Sequence, residues 1–86
     1  MVRMDNATPD DESYNKAVAK VLRDRKESMG ITFDALADAS GLPRSTVSRM
    51  IYGARDIKVS ALRQLAAVLE LDAGDVLDAA DAATRR

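Results

Sequence analysis

The stretch FDALADASGLPRSTVSRMIY, residues 33–52, decides how the rest of the chain is read. It splits at Gly41 into two short helical segments. In the first, Phe33, Leu36 and Ala37 fall on one face, and Asp34 and Asp38 point outward. Asp34 lies in the first turn, where the helix dipole favours a negative charge. Thr32 precedes this segment as an N-cap residue. Gly41 supplies the left-handed backbone that a tight turn requires. Pro43 opens the second segment, where its missing N–H costs little. That helix is expected over Arg44–Tyr52, closed by Gly53. Its buried stripe is Val47, Met50 and Ile51, and Arg44, Ser45, Ser48 and Arg49 share the opposite side.

Two helices packed steeply through a short turn impose requirements at fixed offsets. A small residue must sit where they cross closely, and Ala37 supplies it. Gly41 follows four positions later. Leu42 plugs the corner after the turn, and Val47 is the branched side chain buried under the crossing. Leu36 and Met50 close the pair. These residues spell a helix-turn-helix.

The flanking chain is also helical. Tyr14, Ala17, Val18, Val21, Leu22 and Met29 have the spacing of one helical face. Ser13 or Asp11 is placed to cap that helix and Gly30 to end it. Its other face is Lys16, Lys20, Arg23 and Lys26, of which the three lysines read as an ordinary exposed surface. Residues 54–58 read as a loop. A fourth helix is expected at about Val59–Glu70, with Leu62, Leu65, Ala66 and Leu69 inward. A fifth is expected at about Gly74–Ala83, with Asp72 and Asp75 set as a capping box. Its stripe, Val76, Leu77 and Ala80, is either core or a subunit contact. Residues 1–12 read as a disordered lead-in, 13–83 as the folded domain and 84–86 as a tail. The class is all-α, a compact five-helix domain.

Composition narrows the function. Eighty-six residues support one modest core. Phe33, Tyr14 and Tyr52 are its only aromatics, so that core is aliphatic. The chain has no cysteine and no histidine. A disulfide framework, a thiolate metal site and the commonest general base are therefore excluded. No phosphate-cradling glycine loop is present, so no catalytic set assembles, and no cofactor is implied. Asp72, Asp75, Asp78 and Asp81 have the spacing of a solvated helix face and are not read as metal ligands. No apolar run is long enough to cross a bilayer and no signal segment opens the chain. A cytoplasmic location is expected.

The net charge is −1, but its distribution is uneven. Residues 14–63 carry ten Lys and Arg against five Asp and Glu, whereas the segments on either side are each at −3. A basic middle between acidic ends fits one anion-binding face, and equally an ordinary solvated surface.

From about Arg23 to Leu77 the sequence resembles the lambda-repressor and Cro-like (XRE-type) family of helix-turn-helix proteins. The resemblance rests on ITFDALADASGLPRSTVSRMIYGARDIKVSALRQLAAVLELD. Within it, the Ser-Thr-Val-Ser-Arg run, the Gly after Tyr52 and the Leu-x-x-Leu-Ala-x-x-Leu of the fourth helix are typical. It implies a third helix that enters the DNA major groove, with Arg44, Ser45, Ser48 and Arg49 at base-reading and adjacent phosphate-reading positions. Arginine can bond guanine O6 and N7 bidentately, and serine bonds bases or phosphates permissively. Thr46 and the N-terminal amides suit phosphate. Arg55 and Lys58 fall where the family's loop meets the backbone. The expected DNA-contacting set is Thr32, Arg44, Ser45, Thr46, Ser48, Arg49, Arg55 and Lys58. Two positions depart from the family. Phe33 stands where glutamine is usual, and Ser40 stands before the turn glycine where an apolar residue is usual.

The expected function is a sequence-specific transcriptional regulator, a phage or bacterial repressor acting as a homodimer on a two-fold operator. The alternative is an antitoxin-type module whose acidic ends hold a basic protein partner and which binds DNA secondarily. No small-molecule ligand is evident.

Overall fold

The computed structural model describes residues 11–85. The expected lead-in lies, for residues 1–10, outside the described residues. Five helices follow in order: α1 Asp11–Met29, α2 Phe33–Ser40, α3 Arg44–Ile51, α4 Val59–Val68 and α5 Ala73–Thr84. Among the described residues there is no strand. The all-α, five-helix architecture thus has the order the periodicity implies. Helix α1 begins at Asp11, two residues before the expected domain edge.

One aliphatic cluster holds the helices together. Leu22, Leu36, Val47, Ile51, Leu65, Leu69 and Val76 are its largest fully buried side chains, and they come from all five helices and their caps. Each occupies the inward stripe of its helix, so burial of apolar area is the common cause of the packing. Helix α1 lies against α5 and α3, while α2 packs on α3 and α4. At nineteen residues α1 is about 28 Å long, more than its shorter partners can cover. Met29, expected at the end of its buried stripe, is exposed. In α5, Val76 and Ala80 are buried but Leu77 is 37 % exposed, so only part of that stripe is core.

The caps explain the element ends. The Thr32 hydroxyl accepts from the Ala35 N–H at 3.1 Å, and the Asp72 carboxylate accepts from the N–H groups of Gly74 and Asp75 at 2.7 and 3.3 Å. Pro43 is the N-cap of α3, directly before its first residue Arg44, with extended φ and ψ of −61° and 142°. Helices α1, α3 and α4 close alike, with paired hydrogen bonds that return the chain to the last turn. In α1 and α3 the left-handed residue of that closure is glycine, Gly30 or Gly53. In α4 it is Glu70, at φ 59°. This closure stops α4 at Val68, so Leu69 and Glu70 form its cap instead of its last turn.

A side chain in that conformation is strained by its Cβ. Glu70→Gly relieves the strain and gives up only a long, exposed contact to Arg25, 3.9 Å. The variant is expected to gain about 0.5–1 kcal/mol, read as a higher urea midpoint at unchanged m-value.

Two arginines of α1 finish other helices. The Arg23 guanidinium donates to the Ile51 carbonyl at 2.9 Å, and Arg25 Nε donates to the Leu69 carbonyl at 2.9 Å. A cation at a helix C-terminus is favourable, and these bonds satisfy carbonyls that have no partner within the helix. Arg23 is thus half-buried instead of part of a solvated basic face.

Candidate nucleic-acid interface

Helix α3 has two unlike sides. Val47, Met50 and Ile51 are buried against the core. Arg44, Ser45 and Arg49 are exposed, and Thr46 and Ser48 are half-buried. Arg44 and Ser48 are four residues apart, as are Ser45 and Arg49, so these polar side chains form one strip along the helix. No side chain caps α3, and its first turn holds no acidic residue. Its leading N–H groups face outward as a positive dipole end beside the strip.

The turn before α3 fixes this presentation. Gly41 has φ 78°, and its N–H donates to the Ala37 carbonyl at 2.9 Å. Ser40, the polar residue at a usually apolar position, is buried and nearly self-sufficient. Its hydroxyl donates to the Ala37 carbonyl at 3.3 Å and accepts from the Leu42 N–H at 3.4 Å. It braces the corner that a larger apolar side chain would fill.

Phe33 forms a small surface cluster. Its ring lies 5.7 Å from that of Tyr52, tilted by 48°. The Lys26 ammonium stands 4.3 Å from the Phe33 centroid, and the Arg44 guanidinium carbon 5.8 Å from it. Arg23 approaches the Tyr52 ring to 5.7 Å. Cations over aromatic faces are held by the ring quadrupole. Arg44 has a second partner, since its Nε meets the Asp34 carboxylate at 2.6 Å. The structure therefore joins Arg44 to the start of α2.

Thr32 is exposed at the start of α2, with one lone pair used in the cap. Arg55 and Lys58 are both exposed in the segment between α3 and α4. Asn15 of α1 clamps that segment, donating from its Nδ2 to the Arg55 carbonyl at 3.1 Å and accepting at its Oδ1 from the Ile57 N–H at 3.0 Å.

Sequence reasoning missed Asn15, Lys26 and the capping role of Arg23. Arg23 had a usable signal, because it follows the fully buried Leu22 and so borders the inward face. Asn15 acts across some forty residues and Lys26 across the turn between α1 and α2, and neither leaves a mark in the periodicity. Among the described residues, no three or more metal-ligating side chains gather, and no helix is long and apolar enough to cross a membrane.

A helix-turn-helix domain family matches residues 17–80. No curated protein matches the sequence. The chain is similar in structure to the clp gene regulator ClgR from Corynebacterium glutamicum, seen in two crystal structures. One has a TM-score of 0.76 at 24 % identity, covering 83 % of this chain and 76 % of that one. The other has a TM-score of 0.74, also at 24 % identity, covering 81 % of this chain and 91 % of that one. At this identity the likeness is one of fold.

Proposed function

The chain belongs to the helix-turn-helix domain family, and on that premise we propose that it is a sequence-specific DNA-binding transcriptional regulator that reads the major groove with α3. The observation that carries this reading is the polar strip of α3, exposed at Arg44, Ser45 and Arg49 and anchored from behind by Val47, Met50 and Ile51. Arg44 and Arg49 supply guanidinium groups for base edges or phosphates, and Ser45 and Ser48 supply short hydroxyls. Thr32, Thr46, Arg55 and Lys58 are assigned to backbone phosphates, which position the protein without carrying sequence information. The structural likeness to a clp gene regulator supports a gene-regulating role.

One such domain covers only a few base pairs. A homodimer on a two-fold operator doubles the contact, its two α3 helices spaced by about 34 Å, one turn of DNA. Bound there, the protein acts in the cytoplasm as a repressor by occluding polymerase.

Selection of bound sequences from random duplexes tests the reading. A two-fold symmetric motif is expected, with affinity that falls steeply as salt rises. Recovery of unselected sequences, or a log–log salt slope near zero, would refute it.

A further inference from the structure

The geometry points to Asp34 as a positioning residue that decides how Arg44 addresses a base. This inference rests on the DNA-reading function proposed above. Asp34 and Arg44 are both exposed on their side chains, at 79 % and 60 %, yet the carboxylate meets Arg44 Nε at 2.6 Å. An exposed ion pair contributes only about 0–1 kcal/mol to folding, so stability does not account for the arrangement. Its consequence is directional.

A guanidinium can present two faces to a hydrogen-bonding edge. The side face uses Nε and one Nη nitrogen, and the end face uses both Nη nitrogens. In this structure the Asp34 carboxylate is packed against Nε as an ion pair, which covers the side face. The end face is left for a bidentate partner. Guanine O6 and N7 form such a pair of acceptors in the major groove. Phe33 adds a second restraint, with its ring centroid 5.8 Å from the Arg44 guanidinium carbon. Arg44 is thus held from the start of α2 by a carboxylate and a ring, and a long side chain of many rotamers is ordered before it meets DNA. Ordering in advance lowers the entropy lost on binding.

The carboxylate has a second effect on the same side. Near the duplex it repels phosphate, so a misplaced Arg44 cannot be rescued by drifting onto the backbone without bringing Asp34 close to negative charge. Specificity gained through a repulsive element is a difference between right and wrong partners. The Asp34–Arg44 pair therefore sets preference at one base pair more than it sets total affinity.

The test uses the full chain in wild-type, Asp34→Asn and Asp34→Glu forms. In the free protein, the Arg44 Nε–H resonance is followed by NMR. It is expected to lie at a similar shift in wild type and in Asp34→Glu, and to move in Asp34→Asn, where the charge beside Nε is gone. On DNA, each form is titrated against the selected operator and against duplexes altered at each base pair in turn. Asp34→Asn is expected to lose about tenfold of the preference for guanine at a single position, within the range for one bidentate contact, with Asp34→Glu restoring part of it. A removed surface charge alone tightens binding to every duplex by one factor and leaves every base preference intact. That uniform result overturns the proposal, as does an Arg44 Nε–H resonance insensitive to Asp34. If wild type binds no duplex in a salt-dependent way, the DNA-reading function itself falls, whatever the resonance shows.

Discussion

Leu36→Ala is expected to destabilise the fold by about 2–5 kcal/mol. Leu36 is fully buried in the middle of α2, the helix that packs on both α3 and α4. Its removal leaves a cavity where three helices meet. The neighbouring Ala37 is too small to fill it, and the Gly41 turn holds α3 at a fixed distance. Small domains have total stabilities of only about 5–15 kcal/mol, so the loss is a large share of the whole. For a domain of this size each kcal/mol corresponds to about 4–8 °C, and a melting temperature lowered by about 8 °C or more is expected by calorimetry. Binding to DNA is expected to fall in proportion to the folded fraction and to recover on cooling. A Leu36→Ala variant that melts within a few degrees of wild type would contradict the helix packing described here.

Arg44→Ala acts through the interface and not through the core. Its exposed ion pair with Asp34 contributes about 0–1 kcal/mol, so the variant is expected to stay folded. Its affinity for the selected operator is expected to fall by about 1–3 kcal/mol, with relaxed preference at one base pair. If Arg44 reads a base, the salt slope stays near the wild-type value. If it binds phosphate, affinity falls evenly across sequences and the slope shrinks by about one unit. The truncation also leaves Asp34 without its cation beside the duplex. A second change, Asp34→Asn in the Arg44→Ala background, is therefore expected to recover part of the lost affinity. The two substitutions are coupled, and their separate effects will not add.

Much of the fold is legible in the sequence because it is written locally. Three-and-four spacing marks the buried stripes, and Thr32, Gly41 and Asp72 mark helix ends by chemistry that acts within a few residues. Periodicity extends helix α4 to Glu70, since nothing in glutamate announces a left-handed cap, yet the chain closes there with Leu69 buried. The strip of α3 was legible for the same local reason, through Val47, Met50 and Ile51. What was not legible are the contacts that orient it. Lys26 reaches Phe33 across the α1–α2 turn, Asn15 holds a segment some forty residues away, and Asp34 meets Arg44 across the α2–α3 turn. Such contacts depend on where helices cross, which periodicity does not report.

Arg23 and Arg25 stand two residues apart on α1, a separation that sends their side chains to different flanks of one rod. Each closes the tail of a different helix, one of them the helix that carries the reading strip. Positive charge counted along the chain thus overstates what DNA can meet, because these two guanidinium groups are already engaged within the protein. The first helix serves as a shared doorstop. A displacement of its middle turns would release the ends of α3 and α4 in one movement, together with the core that Val18 and Leu22 help to fill.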